Sequence, residues 1–159
     1  MPIIYHNKTD LFEFIKEAEM SMAHGCNTSS SFGSGVAYLV AKYFPHVKKH
    51  YHQSCKLDMF EPGSCDAVCI SDTNSPFRFC YNLGTQIQPG PDARKNLIAQ
   101  SFINLFETMI RTKESEIAIP KIGCGIGGLN WEKDVEPILD FLVRHVYDDR
   151  VTVHVCSLE

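Results

Sequence analysis

The sequence feature that most limits how this chain can fold is a cluster of glycines in IPKIGCGIGGLNW, residues 119–131. Four of the ten glycines fall within six residues, between an apolar run and an amphipathic one. Gly123, Gly125 and Gly128 have the spacing G-x-G-x-x-G, which lets backbone N–H groups approach an anion where a strand passes into a helix. The cluster therefore predicts an α/β fold with a phosphate-binding loop. The alternative is a tight strand-to-helix turn that binds nothing.

A dinucleotide-binding domain of the dehydrogenase type needs more than this glycine spacing. Such a domain also has an acidic residue about 20 positions beyond the glycines, at the end of the next strand, where it binds the ribose. Here that position is Asp148, which precedes the final predicted strand, and the remaining chain has room for only one helix and one strand. The pattern therefore favours a phosphate-binding loop outside the dehydrogenase class.

Apolar runs and amphipathic patterns alternate along the chain without a linker or repeat, which predicts a single domain over residues 1–159. The predicted helices begin at Gly35, near Asp92 and near Val135, and Pro45 ends the first of them. Asp92 is predicted to be an N-cap rather than a cleft residue. Strands separated by helices predict a sheet covered on both faces, an α/β sandwich. The predicted strands are residues 3–6, 20–26, 67–71, 77–83, 117–122 and 151–156, with a turn at 72–76.

Composition narrows the class of protein. The chain is 44% apolar and 21% charged, and its net charge of −4 argues against binding nucleic acid by charge alone. No stretch approaches the roughly 18 uninterrupted apolar residues of a spanning helix, and the N-terminus lacks the regions of a secretory signal. Seven irregularly spaced cysteines are typical of buried thiols in an intracellular protein. We therefore expect a cytoplasmic protein without a membrane partner.

A second stretch, HGCNTSSSFGSGVA, also passes from a strand end through glycine and serine into a helix. Ligands of open α/β sheets bind at the carboxyl ends of the strands, so we expect the two loops to meet at one edge of the sheet. Two loops with free backbone amides fit a diphosphate flanked by sugars better than a single phosphate.

Together with YHNKTDLF near the N-terminus, these two loops resemble the macro domains, which bind ADP-ribose, and the resemblance covers nearly the whole chain. It implies a three-layer α/β/α sandwich with a mixed central sheet, and it requires no cofactor or metal ion. It also implies that Asp10 binds the adenine amino group and that Asn27 binds the distal ribose. The ligand-binding residues that it implies are Asp10, Leu11, Asn27, Phe32, Gly33, Ser34, Gly35, Val36, Gly123, Cys124, Gly125, Ile126, Gly127 and Gly128.

Departures from the family pattern limit the expected chemistry. One hydrolase branch has an acidic residue at the position of Ala37. Another uses a lysine after the fourth strand, where this chain offers Thr85 or Gln86, and an aspartate at the position of Gly127. A covalent lysine mechanism is therefore not expected. The yeast-type phosphatases of ADP-ribose 1''-phosphate have a histidine in a segment similar to AHGCN, which points to His24.

His24 and Asn27 are the predicted catalytic residues. An imidazole near the distal ribose can activate water or donate to a phosphate oxygen at neutral pH. The alternatives for His24 are ligand contact without chemistry and a local hydrogen bond at the strand end. Asn27 is expected to bind the ribose and orient water, the alternative being an Asx turn. Phe32 either covers the distal ribose or anchors its loop.

The activity that the resemblance implies is removal of the phosphate from ADP-ribose 1''-phosphate, with water as the nucleophile. Two alternatives remain open. One is hydrolysis of the ADP-ribosyl group from modified protein or nucleic acid, and the other is a non-catalytic reader of ADP-ribose. The expected partners are ADP-ribose, ADP-ribose 1''-phosphate and ADP-ribosylated macromolecules.

Overall fold

The computed structural model describes residues 2–72 and 77–159, and within these residues the sheet has six strands. The spatial order of the strands is β1-β6-β5-β2-β4-β3. Neighbouring strands are parallel except β3 and β4, which are antiparallel, so the sheet is mixed as expected. Residues 73–76 of the predicted turn lie outside the described part of the chain. The strands are β1 (Ile3–His6), β2 (Met22–Asn27), β3 (Cys65–Cys69), β4 (Phe79–Gln86), β5 (Glu116–Ile119) and β6 (Thr152–Cys156).

Helices cover both faces of this sheet, which confirms the three-layer sandwich. They are α1 (Leu11–Ala18), α2 (Gly35–Tyr43), α3 (Pro45–Lys56), α4 (Lys95–Arg111) and α5 (Glu136–Phe141). Helix α5 is preceded by a π-helical turn at Trp131–Val135 and followed by another at Leu142–Val146. In the described part of the chain, no helix is long and apolar enough to span a bilayer.

Each face of the sheet has its own apolar core. One core joins α4 and α5 to the sheet through side chains such as Phe102, Leu105 and Leu139. The other joins α1, α2 and α3 to the opposite face through side chains such as Ile15 and Val40. Because both faces are covered, the parallel strands carry nearly continuous apolar side chains rather than an alternating pattern.

Helix α1 is not among the helices predicted from the sequence, and it begins directly after Asp10. Asp10 is the N-cap of this helix, and its Oδ1 accepts hydrogen bonds from the backbone N–H groups of Phe12 and Glu13. Leu11, Phe12 and Ile15 form the buried side of the helix. A capping role for Asp10 thus coexists with the predicted ligand role.

Of two predictions about helix ends, one is confirmed and the other is wrong. Helix α2 ends at Tyr43 and α3 begins at Pro45, as expected from the restriction that proline places on the preceding residue. The predicted N-cap role of Asp92 is wrong, because α4 begins at Lys95 with Arg94 as its N-cap. Asp92 instead accepts hydrogen bonds from two backbone N–H groups of the preceding loop, and the bond from Gln88 is the main cause that lowers its pKa.

Candidate functional site

A cleft of about 520 Å³ lies at the carboxyl ends of β2, β4, β5 and β6, where the two glycine-bearing loops meet. Its position agrees with the rule for open α/β sheets. The predicted residues that line it are Asp10, Leu11, Asn27, Ser34, Gly35, Val36, Gly123, Cys124, Gly125, Ile126 and Gly127. Four predicted residues, His24, Phe32, Gly33 and Gly128, are not part of its lining.

Asn27 builds the first loop, which follows β2. Its side-chain Oδ1 accepts hydrogen bonds from the backbone N–H groups of Ser29 and Ser31, and its Nδ2 donates to the Ser31 backbone oxygen at 2.8 Å. The Tyr51 hydroxyl lies 2.8 Å from the same Oδ1. The Asx turn is therefore present. Asn27 also lines the cleft, and one Nδ2 hydrogen remains for a ligand.

The N-terminus of α2 faces the cleft without a cap. Ser34 is the N-cap residue, but its side chain makes no capping hydrogen bond, and the first turn has no acidic residue. In the described residues, the N–H groups of Gly35, Val36 and Ala37 have no acceptor outside the helix. Unsatisfied N–H groups and the positive end of the helix dipole make this a site for a negatively charged ligand group.

The second loop follows β5 and exposes further backbone donors. Gly123 has φ of +81°, which favours glycine, and its carbonyl oxygen accepts from the Leu129 N–H at 2.9 Å to close the loop. Over the described chain, the N–H groups of Gly125, Ile126 and Gly127 have no acceptor. These three donors, which line the cleft, form a second place for a phosphate.

The first and second loops approach each other across the cleft. A methyl group on Gly35 would lie 3.5 Å from the Cδ1 atom of Ile126, whose side chain is half exposed. Gly127 has no such space, because a methyl group there would lie 2.8 Å from both the Ala93 Cβ and the Gly123 carbonyl oxygen. The two loops therefore line the same cleft from two sides, and each has backbone N–H groups without an acceptor in the described residues.

The far end of the cleft is lined by residues that the sequence reasoning missed. Cys156, the last residue of β6, and residues 157–159 after it line this end together with Asp10. The backbone N–H groups of Lys8 and Thr9 donate to Glu159 and Ser157, which fixes this segment against the start of α1. These residues could have been predicted from the sequence, because β6 is parallel to its neighbours and its carboxyl end therefore lies at the same edge of the sheet as those of β2 and β5.

Among the other lining residues that the predicted set omits are Thr85, Gln86 and Lys121. Thr85 is buried on the floor, and its Oγ1 lies so near Gly25 that a methyl group on the glycine would be 2.6 Å away. The Gln86 amide donates to the backbone oxygens of Gln88 and Gly90, so this side chain holds a loop rather than a substrate. Within the described residues, Lys121 is the only lysine or arginine that lines the cleft.

His24 lies beneath the first loop and has no exposed surface. Its Nε2 is 2.7 Å from Asn82 Oδ1, and its ring meets Phe32 edge-on at 5.5 Å. Burial lowers the pKa of His24 from 6.5 to about 4, although the Asn82 hydrogen bond opposes this change. The imidazole is therefore neutral at pH 7, and it does not line the cleft.

Phe32 is a buried loop anchor. Its ring is 3% exposed and packs against Tyr51 at a centroid distance of 4.6 Å, so the anchoring alternative describes its position. It holds the loop that leads to α2, with His24 on its other side. Phe32 does not line the cleft, and the predicted cover over the distal ribose stays a prediction.

The cysteines near the cleft are poor nucleophiles. Burial raises the pKa of Cys124 to about 11 and raises that of Cys26 well above its ordinary value. Both are therefore thiols at neutral pH, and thiolate is the reactive form. All seven cysteines are free, and contrary to the expectation of burial Cys69 is exposed.

The sequence profile of the family described as "Macro domain" matches residues 23–138. A phage T4 relative, "Uncharacterized 17.5 kDa protein in tk-vs intergenic region", is 32% identical over 87% of this chain and 88% of its own length. The Candida albicans ADP-ribose 1''-phosphate phosphatase is 28% identical over 87% of this chain and 94% of its own. The Mycobacterium tuberculosis DNA ADP-ribosyl glycohydrolase is 25% identical over 84% of this chain but only 37% of its own.

Solved structures show the same fold at low sequence identity. The macrodomain of Mycobacterium tuberculosis DarG superposes with a TM-score of 0.81 at 23% identity, covering 97% of this chain and 96% of the other. Thermosipho africanus DarTG in complex with ADP-ribose superposes with a TM-score of 0.78 at 18% identity, covering 97% of this chain and 41% of the other. The profile match, the T4 relative and the two-loop cleft lead to one conclusion: this chain belongs to the macro domain family.

Proposed function

We propose that the cleft binds ADP-ribose, with the diphosphate between the N-terminus of α2 and the second loop. The observation that carries this proposal is the pair of facing donor sets, from residues 35–37 and residues 125–127, which have no acceptor in the described protein. Charge-assisted hydrogen bonds from several amides stabilise a diphosphate without a metal ion. The solved DarTG structure in complex with ADP-ribose supports the same ligand.

Asp10 is the proposed partner of the adenine. Its Oδ1 caps α1, whereas Oδ2 has no hydrogen-bond partner in the described residues. A carboxylate oxygen in this position can accept a hydrogen bond from an exocyclic amino group. The adenosine then lies towards residues 156–159, and the distal ribose lies towards Asn27 and Ser31.

The proposed reaction is hydrolysis of ADP-ribose 1''-phosphate to ADP-ribose and inorganic phosphate. A water oxygen forms the new bond to phosphorus and releases one proton to solvent, while the bond to the anomeric oxygen breaks and that oxygen takes one proton from solvent. Positioning and charge stabilisation provide most of the catalysis in such transfers. Free amides and Lys121 supply positive potential here, and the Candida relative named as a phosphatase supports this choice.

The proposed roles of the two predicted catalytic residues differ. Asn27 uses its remaining Nδ2 hydrogen to orient the distal ribose or the attacking water. His24 acts as a positioning residue, because its buried ring supports Phe32 and through it the first loop. Its neutral imidazole is not placed to transfer a proton to the substrate.

A second candidate is hydrolysis of the ADP-ribosyl group from a modified macromolecule, by water rather than by an enzyme nucleophile. The relative named as a DNA ADP-ribosyl glycohydrolase supports it. Thr85 or Gln86 stands where that family branch has its lysine, and neither side chain carries an amine that could act as the nucleophile. A covalent lysine intermediate is therefore not proposed.

The decisive experiment is incubation of the protein with ADP-ribose 1''-phosphate and measurement of released inorganic phosphate. A Gly127→Ala variant purified in the same way is the control, because the added methyl group collides with the second loop. Phosphate release above that control supports the proposal. If no phosphate is released but ADP-ribose is released from a modified oligonucleotide or peptide, the second candidate is supported. If calorimetry shows tight binding of ADP-ribose and neither substrate is turned over, the result supports a non-catalytic reader of ADP-ribose.

A further inference from the structure

Strand β4 contains one residue that has no partner on the neighbouring strand β2. Cys26 pairs with Gly84 and Asn27 pairs with Gln86, so Thr85 is an extra residue of β4 that lies opposite the step from Cys26 to Asn27. An extra residue of this kind changes the direction of a side chain and is common beside binding sites. Thr85 therefore lies beside the residue that the proposed function assigns to the distal ribose.

The backbone of Thr85 is held by helix α4, and its side chain lies against strand β2. The Thr85 carbonyl oxygen accepts a hydrogen bond from the N–H group of Arg94, the N-cap residue of α4, at 3.1 Å. A methyl group on Gly25 of β2 would lie 2.6 Å from Thr85 Oγ1 and 3.2 Å from Ile122 Cγ2. A larger residue at position 25 would therefore collide with the Thr85 hydroxyl, and glycine leaves this hydroxyl its space.

The Thr85 hydroxyl has no hydrogen-bond partner among residues 2–72 and 77–159. Thr85 is only 1% exposed, but the fully buried side-chain atoms without a partner in this part of the chain are Arg78 Nε and Asn82 Nδ2, not Thr85 Oγ1. The hydroxyl oxygen therefore keeps a small exposed edge, and Thr85 lines the cleft. Because a hydroxyl without a partner costs free energy, its partner comes from the contents of the cleft.

The order of the strands gives the position of Thr85 along the cleft. Strands β6, β5, β2 and β4 are successive neighbours in the sheet. Asp10 and residues 156–159, which the proposed function assigns to the adenosine, line the cleft at its β6 end. Thr85 is on β4, at the other end of this series. A ligand atom that reaches its hydroxyl therefore belongs to the group beyond the diphosphate and not to the adenosine.

We propose that the Thr85 hydroxyl binds a hydroxyl group of the distal sugar, and that this contact makes the cleft prefer ADP-ribose to a nucleoside diphosphate without that sugar. The inference rests on the proposed ADP-ribose site. Backbone N–H groups of the two loops only donate, which suits phosphate oxygens, whereas the Thr85 hydroxyl both donates and accepts, as a sugar hydroxyl does. A buried group that hydrogen-bonds a ligand hydroxyl discriminates against a ligand that lacks it. Thr85 is therefore a specificity-determining residue.

The test is calorimetry of each variant with two ligands, ADP-ribose and ADP. Thr85→Val keeps the shape of the side chain without its hydroxyl, and it should bind ADP-ribose at least about fivefold more weakly but ADP within about twofold of wild type. Thr85→Ser keeps the hydroxyl and should stay within about twofold of wild type for both ligands. Thr108→Val is the matched control, because that hydroxyl donates to the Asn104 backbone oxygen on α4, and both of its affinities should equal those of wild type.

Several outcomes overturn the inference. An unchanged ADP-ribose affinity in Thr85→Val would remove any role for the hydroxyl, and equal losses for ADP-ribose and ADP would show that it supports the loops or the diphosphate instead. Thr85→Val should melt at or above the wild-type temperature, because no internal hydrogen bond is lost, and a melting temperature more than about 2 °C lower would contradict a hydroxyl that is free for a ligand. If the wild type bound no ADP-ribose, the proposed function would fail and this inference with it, whereas the other outcomes leave the proposed function intact.

Discussion

The Tyr51 hydroxyl lies 2.8 Å from both the backbone oxygen and the side-chain Oδ1 of Asn27, which joins helix α3 to the loop that begins the cleft. Tyr51 is fully buried, and burial strongly raises its pKa, so its hydroxyl stays a donor at any physiological pH. The position of the first loop thus depends on a residue far from it in sequence. Asn27 therefore shapes the first loop in addition to lining the cleft.

Tyr51→Phe should weaken both the fold and the cleft. Removing the hydroxyl leaves buried acceptors of Asn27 with one donor fewer, which costs about 1–2 kcal/mol of unfolding free energy. The loosened first loop should lower the ADP-ribose affinity several-fold, measured by calorimetry beside urea denaturation. Tyr147→Phe is the matched control, because its hydroxyl bonds Glu107 on the far side of the sheet. An equal loss of affinity in both variants would contradict a specific role for Tyr51.

Gly127→Ala should damage the second loop, whereas Gly125→Ala should not unfold it. A methyl group at Gly127 would lie 2.8 Å from Ala93 Cβ and from the Gly123 oxygen, but one at Gly125 meets nothing within 4 Å. We expect Gly127→Ala to lose about 1–3 kcal/mol of stability and at least about tenfold in ADP-ribose affinity. Thermal denaturation and calorimetry of the pair check this. Wild-type affinity in Gly127→Ala would show that the loop amides do not bind the diphosphate.

Asp10 has two separable roles. Asp10→Asn keeps an oxygen that can cap α1, so its stability should stay within about 0.5 kcal/mol of wild type. Asp10→Ala loses the cap and should cost about 1 kcal/mol. Both variants lose the carboxylate proposed to accept from adenine, and we expect each to bind ADP-ribose about tenfold more weakly. If Asp10→Asn bound as tightly as wild type, the adenine contact would be excluded.

His24 should make the folded state sensitive to acid. Its pKa is about 4 in the folded protein and about 6.5 when unfolded, so the unfolded chain binds more protons between these values. Stability from this residue is complete above pH 6.5 and falls as the pH drops to about 4, by up to about 3 kcal/mol.

Urea denaturation at several pH values compares wild type with His24→Asn, whose stability should depend less on pH. His145→Asn replaces an exposed imidazole and should keep the wild-type dependence. A His24 variant with an unchanged pH profile would mean that this imidazole is not the buried titrating group. His24→Asn should also lower the affinity for ADP-ribose without adding a pH step to turnover, because the residue positions Phe32 rather than transferring a proton.

The two loops could be predicted from their glycines because the effect of a glycine on the backbone is local. A backbone that approaches a phosphate or adopts φ near +80°, as Gly123 does, restricts the residue type at that position whatever surrounds it. Pro45 marked the break between α2 and α3 for the same reason. Local steric requirements of this kind identify the loops and their order along the chain.

Which side chains line the cleft could not be predicted from the sequence, because it depends on how the sheet is packed. Strand β2 is covered on both faces, so the pattern of apolar residues along it does not show which side chains line the cleft and which lie in the core. In addition, the pairing of β2 with β4 shifts register between Cys26 and Asn27. His24 therefore resembles a catalytic residue in sequence but lies in the core. The strand order likewise brought Thr85 and residues 156–159 to a site that contiguous motifs could not include.

The sequence by itself determined that this chain forms an α/β domain with two glycine-bearing loops at strand ends, because glycine and proline restrict the backbone wherever they stand. Only the tertiary structure decided that Asn27 lines the cleft while His24 and Phe32 are buried beneath the first loop. The physical reason is that burial, pKa and ligand access depend on which elements pack together, and residues such as Tyr51 and Asn27 meet only in the folded chain.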